Sequence, residues 1–139
     1  MKLENAVVLV TGANRGLGLA FAKEALARGA RKVYAAARNP ASITLQGVVP
    51  VKLDVTNKDD IAKLVEQCSD LTLLINNAGV AELGAMLAAD AETMVRRQLE
   101  TNLYGPLRLT QAFAPVLAHN GGGGIINVLS IASWITGPL

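Results

Sequence analysis

The chain has 139 residues, 51% of them hydrophobic and 17% charged, a core-rich balance that fits one globular domain and excludes a disordered segment. A formal charge of +2, scattered basic residues and 4% aromatic content provide neither a polybasic run nor a stacking platform, so nucleic acid is excluded as a partner. The single cysteine, Cys68, excludes an internal disulfide and suits a reducing cytoplasm; the start Met1 to Asn5 lacks signal-peptide character and the apolar runs are strand-sized, so no membrane span is expected.

The run Val7 to Val10 reads as a strand, Thr11-Gly12 as a tight turn, and glycines at 12, 16 and 18 lead into an alanine-rich helix. The first turn of a helix leaves backbone N–H groups unpaired at the positive end of its dipole, which suits a phosphate or pyrophosphate. Gly12 supplies unusual backbone angles, Gly16 lets the backbone approach the anion, and Gly18 lets the helix lie close to its strand. A glycine triplet alone would equally serve a plain strand-to-helix loop. Helical periodicity over Leu17 to Arg28 places Leu19, Ala22, Ala25 and Leu26 on one side, opposite Lys23, Glu24 and Arg28, and Gly29 stops it. Lys32 to Ala37 then reads as a second buried strand, so the two strands form a parallel pair with a right-handed crossover.

Arg38 ends that second strand, where a dinucleotide-binding fold that prefers NAD usually places an acid for the ribose 2′-hydroxyl. A guanidinium there offers a charged fork to a 2′-phosphate, and Arg15 in the glycine turn approaches from the other side. The pair favours NADP over NAD; taken singly, each arginine would be a solvated surface charge. Residues 39–47 read as a loop, and Val48 to Leu53 as a strand near the sheet edge because Pro50 interrupts it. Asp54-Val55-Thr56 follows, and Thr56 and Asn57 before Asp59 and Asp60 also make a helix cap. The helix over Lys58 to Cys68 places Ile61, Leu64, Val65 and Cys68 on one face, making Cys68 a packing residue. Leu71 to Ile75 is a central strand, and Asn76-Asn77-Ala78-Gly79 leaves its carboxyl end, either as a turn or as part of a cofactor floor.

A helix follows from Asp90 to about Leu99, with Met94, Val95 and Gln98 or Leu99 toward the body. Pro106 opens a longer helix ending near His119, with Leu103, Leu107, Thr110, Phe113, Ala114 and Leu117 on one face and Pro115 expected to bend or shorten it. His119 complements the helix dipole without further chemistry, Gly121 to Gly124 form a flexible connection, and Ile125 to Leu129 is the fifth strand, ended by Ser130. Ser133 falls in the loop beyond.

The pattern T-G-x-x-x-G-x-G from Thr11 to Gly18, with Asn76-Asn77-Ala78-Gly79, Asn102 and Ser130, resembles the short-chain dehydrogenase/reductase family over residues 5–139. The resemblance implies an α/β fold with a Rossmann-like doubly wound parallel sheet. It implies a cofactor site, here for NADP, at Gly12, Asn14, Arg15, Gly16, Leu17, Gly18 and Arg38, with Asp54 and Val55 at the adenine and Asn77, Ala78 and Gly79 beneath the nicotinamide ribose. Ser130 would polarise the substrate oxygen, and Asn102 would hold a water in a proton relay; a strand-end turn serine and a capping asparagine are the plainer readings. No metal is implied.

The family's Y-x-x-x-K pattern should follow the serine by about a dozen residues, beyond Leu139. Tyr34 and Tyr104, each followed four residues later by Arg38 and Arg108, imitate it but precede Ser130 and are rejected. The expectation is therefore the amino-terminal part of a longer NADP-dependent oxidoreductase, its sheet truncated after the fifth strand, with little turnover by itself. The full protein would act on a small carbonyl or alcohol compound, by preference reducing the carbonyl since cellular NADP is mostly reduced, and would pair as a homo-oligomer through the helix containing Phe113. Trp134, Ile135 and Leu139 suggest an apolar wall to the substrate site. The alternative is a nucleotide-binding module without turnover, and the intact glycine turn argues against a purely structural subunit.

Overall fold

In the computed structural model of the chain, the described residues form five parallel strands in the order β3-β2-β1-β4-β5. They are β1 (Val7–Thr11), β2 (Lys32–Ala37), β3 (Val49–Lys52), β4 (Leu73–Asn76) and β5 (Gly124–Asn127). Helices α1 (Gly16–Ala27), α2 (Lys58–Gln67), α3 (Ala91–Leu99) and α4 (Gly105–His119) connect them, with a short 3₁₀ turn at Pro40–Ser42 and a π-helical turn at Glu100–Tyr104 between α3 and α4. The structure describes residues 2–82, 84, 85 and 87–130, so Ser133, Trp134, Ile135 and Leu139 lie outside the described residues.

Alternation along β1 builds both faces of the core. Val7 and Leu9 point to one side, where Leu64 of α2 and Leu109 and Phe113 of α4 cover them; Val8 and Val10 point to the other, against Ala22 and Ala25 of α1. A sheet covered on both faces is the doubly wound, Rossmann-like arrangement, and it explains why β1, β2 and β4 are apolar almost throughout. The register Val8↔Val33 and Val8↔Leu73 puts β1 at the centre, with its carboxyl end beside those of β2 and β4. Pro50 is tolerated because β3 is the edge strand, paired among the described residues only with β2.

Several expectations shift. Asn57 alone caps α2, its Oδ1 accepting from the N–H groups of Asp59 (2.8 Å) and Asp60 (3.1 Å), while Thr56 turns back to Asp54. Helix α4 is not shortened by Pro115 and runs on to His119; Pro115 and Gln111, whose carbonyl loses its helical N–H partner to the proline, are both exposed. The buried face of α4 is Gly105, Leu109, Phe113 and Leu117, whereas Leu103, Leu107 and Ala114 are exposed. Of the pair offered for α3, Gln98 is half-buried and Leu99 exposed. The glycines before β5 make a turn with left-handed angles at Gly121 and Gly122; just before it Asn120 Nδ2 donates to the carbonyls of Ser69 and Leu71 (2.9 Å each), and just after it a side chain at Gly123 would meet the Thr72 carbonyl oxygen at 2.3 Å. Strand β5 ends at Asn127, so Ser130 lies beyond the strand, not at its end.

Candidate cofactor crevice and adjoining pocket

Thr11, at the end of β1 and 1% exposed, ties the two motif turns together. Its hydroxyl accepts from the N–H groups of Asn77 and Ala78 (2.9 Å each) and donates to the carbonyl of Ile75 (3.4 Å). Asn77 returns the contact, its Nδ2 donating to the carbonyls of Thr11 (2.9 Å) and Gly12 (3.4 Å). Asn76 Nδ2 donates to Asn127 Oδ1 at 2.9 Å and so links β4 to β5. The asparagines therefore bind neighbouring strand ends, as their place at the carboxyl edge requires.

The glycine turn has separate demands at each position. Gly12 (φ +66°) and Gly16 (φ +56°) adopt left-handed angles, and a Cβ on Gly16 would meet nothing within 4 Å, so its surroundings are open. A Cβ on Gly18 would stand 2.2 Å from the Gly12 carbonyl oxygen, which is the close helix-to-turn contact the spacing suggested. At the start of α1 no side chain caps the backbone and the first turn holds no acid. That end of the helix therefore presents uncapped donors and its positive dipole toward the crevice.

An open crevice of about 900 Å³ runs along this edge. Gly12, Asn14, Arg15 and Gly16 form one side, Arg38 and Asn39 the next, Asp54, Val55 and Thr56 the floor beside β3, and Asn77, Ala78 and Gly79 the floor beside β4. Among the described residues, neither Arg15 nor Arg38 has an ion-pair partner, whereas the third crevice arginine, Arg97, is held by Glu82 at 2.7 Å. Glu82 in turn sits below its ordinary carboxyl pKa because Arg97 donates to it. Leu17 and Gly18 do not line this crevice: Leu17 is 64% exposed and Gly18 is buried under the turn.

Asp54 is held at both ends. Its N–H donates to Asp60 Oδ2 (3.0 Å), and its Oδ1 accepts from the N–H (2.9 Å) and hydroxyl (2.7 Å) of Thr56. The Asp60 carboxyl lies below its ordinary pKa, chiefly because of the Asp54 N–H, with Lys52 assisting.

A second pocket of about 760 Å³ shares Asn77 to Val80 with the crevice and brings Asn102, Leu107, Thr110, Asn127 and Ser130 together. Asn102 and Ser130, far apart in the chain, thus face one space. Asn102 Oδ1 accepts from the Val80 N–H (2.9 Å) and its Nδ2 donates to the Val80 carbonyl (2.8 Å), so it is a clamp across the pocket wall and not a helix cap. Tyr34 belongs to neither cavity: it is buried, its hydroxyl hydrogen-bonded to the Gln67 carbonyl and Asp70, and burial above all raises its pKa. Tyr104 lies against Arg108, 5.7 Å from ring centroid to guanidinium, outside both cavities. Cys68 is fully buried in the core with its thiol pushed up to about 12, first by burial, in keeping with a packing role. Among the described residues no cluster of three His, Cys, Asp or Glu could hold a metal, and no helix is long and apolar enough to cross a membrane.

Sequence reasoning passed over Thr11, Glu82 and Gln98 as site residues. Thr11 could have been singled out as the polar residue closing an otherwise apolar strand, whereas nothing local marks Glu82 or Gln98.

A parallel sheet whose carboxyl edge meets a glycine turn and an uncapped helix N-terminus is a doubly wound, Rossmann-like α/β domain, the class of fold whose ligands lie at that edge. Residues 6–139 match the short chain dehydrogenase family. A solved short chain dehydrogenase from Burkholderia cenocepacia, in complex with NADP, superposes with a TM-score of 0.90 and 43% identity, covering 98% of this chain and 58% of that one. Galactitol 2-dehydrogenase of Agrobacterium fabrum is 37% identical over 95% of this chain and 55% of its own length, and oxidoreductase BOA17 of Botryotinia fuckeliana is 35% identical over 93% and 50%. The chain belongs to the short-chain dehydrogenase family, and it spans about half the length of these curated relatives.

Proposed function

We propose that the chain forms the cofactor-binding part of an NADP-dependent oxidoreductase acting on a small carbonyl or alcohol compound, in the carbonyl-reducing direction. The observation that carries this reading is the placement of Arg15 and Arg38, both without carboxylate partners among the described residues, on the crevice that also holds the glycine turn. The donor set suits the group: main-chain N–H groups of α1 for the pyrophosphate, two guanidinium forks for a 2′-phosphate, and a glycine cradle in which Gly12 holds a left-handed angle and Gly18 has no room for a side chain. When bound, the nicotinamide supplies the hydride.

The remaining steps fall to this chain's residues. Asp54 and Val55 hold the adenine end, and Asn77 to Gly79 support the nicotinamide ribose. Ser130 polarises and orients the substrate oxygen in the adjoining pocket, and Asn102 fixes the wall beside it. The proton at the substrate oxygen comes, by the family resemblance, from a tyrosine following Ser130, which is why residues 1–139 alone are expected to bind cofactor with little turnover.

Fluorescence titration with NADPH and NADH tests the reading. NADPH should bind more tightly, and Arg38→Gln should weaken NADPH by about tenfold or more while leaving NADH nearly unchanged, the loss expected when one charged hydrogen-bond partner is removed. Equal affinity for both nucleotides, or an Arg38→Gln variant that weakens both alike, would remove the basis for NADP.

A further inference from the structure

We propose that Gln98 is a positioning residue of the cofactor site, an inference that rests on the function proposed above. Within the segment 79–82, Gly79, Val80 and Glu82 line the crevice, and Gly79, Val80 and Ala81 the second pocket. Among the described residues no backbone-to-backbone hydrogen bond holds that segment, because the β4–β5 ladder stops at Asn76↔Asn127. Two side-chain amides hold it instead. Asn102 accepts from the Val80 N–H and donates to the Val80 carbonyl, at 2.9 and 2.8 Å. Four residues earlier, Gln98 does the same to Glu82, accepting from its N–H and donating to its carbonyl, both at 3.3 Å.

Pairing both the N–H and the carbonyl of alternate residues is what a neighbouring strand does. The contacts repeat in step: two residues along the segment, Val80 to Glu82, against one helical turn, Asn102 back to Gln98. The edge formed by α3 and the π-helical turn therefore substitutes for a missing strand, with Gln98 as its second rung. Arg97 reinforces that rung by gripping the Glu82 carboxylate, its Nε 3.2 Å from both oxygens and an Nη2 2.7 Å from one. Without the Gln98 rung, the Glu82 backbone would lose both of its partners and the segment would be held only by Asn102 at Val80 and by the Arg97 grip on the Glu82 side chain, which leaves the backbone beside Gly79 less firmly placed.

Gln98→Met removes both hydrogen bonds at similar volume, and Gln98→Glu keeps the acceptor for the Glu82 N–H but loses the donor. Two readouts are taken: amide hydrogen exchange without nucleotide, and NADPH titration. Expected for Gln98→Met is faster exchange at Glu82, unchanged exchange in β1 and β4, an unchanged melting temperature, and NADPH affinity lowered about fivefold; Gln98→Glu should fall between it and the unaltered protein. Unchanged exchange at Glu82 overturns the clasp. Faster exchange there with undiminished NADPH affinity overturns its role toward the cofactor, and exchange rising throughout β1 and β4 shows a merely structural residue. Failure of the unaltered protein to bind NADPH overturns the cofactor reading itself and this inference with it, and is distinguished by that control.

Discussion

Replacing Thr11 with valine keeps the shape and β-branching of the side chain and removes one oxygen. That oxygen serves the N–H groups of Asn77 and Ala78 and the carbonyl of Ile75, joining β1 to residues more than 60 positions away. Both N–H groups lie in half-buried residues under the crevice floor, and neither gains a partner from a methyl group. An unsatisfied buried donor costs about 1–3 kcal/mol; partial access to water from the crevice brings the pair to about 2–3 kcal/mol in total. For a chain of this size that corresponds to a melting temperature lower by about 6–12 °C. Thermal unfolding followed by circular dichroism, with Thr11→Ser as the companion, measures it: serine keeps the oxygen and loses only a methyl group, so it should recover more than half of the loss. NADPH affinity should fall with Thr11→Val as well, because Ala78 is part of the crevice floor. A valine variant melting within about 2 °C of the unaltered protein, or a serine variant as damaged as valine, would refute the view that this hydroxyl joins the two turns.

Gly18→Ala places a methyl group 2.2 Å from the Gly12 oxygen and 2.5 Å from Asn77 Nδ2, so α1 must back away from the turn. Stability should drop by about 1–3 kcal/mol and NADPH affinity should fall with it; a variant with wild-type melting and binding would disprove the tight contact. Asp60→Asn addresses pH. The Asp60 carboxyl titrates below its ordinary 3.8 in the folded chain, so its contribution is present above that value and is lost as pH falls through the lower folded one. Urea midpoints should therefore be reduced for Asp60→Asn near neutrality, and the gap to the unaltered protein should close as pH falls below 3.8 and through the lower folded value, whereas a constant gap at all pH values would contradict the assignment. Cys68, buried and with its thiol pushed up to about 12, should resist a thiol reagent in the folded protein at mildly alkaline pH and react fully in denaturant.

Local chemistry makes much of this chain legible in its sequence. Strand-sized apolar runs, the glycines at 12, 16 and 18, Asn57 before two acids and Pro50 in an edge strand each express a demand satisfied within a few residues, so they can be read from neighbours in the chain. Arg15 and Arg38 are legible for a related reason: each follows a strand whose carboxyl end must lie at the ligand edge of a parallel sheet.

The face of α4 could not be read this way. Leu103, Leu107 and Thr110 share helical spacing as well as Gly105, Leu109 and Phe113 do, because the segment is apolar on more than one side. Packing chose the second set at Gly105, where a Cβ would stand 2.9 Å from Val55 Cγ2: only the glycine side can lie that close to the floor of the sheet, which leaves Leu103 and Leu107 to line the second pocket. The Thr11 bridge and the Gln98 rung were hidden for the same cause. A hydroxyl or an amide has donors and acceptors in every setting, and which backbone groups they meet depends on segments brought together only when the sheet closes.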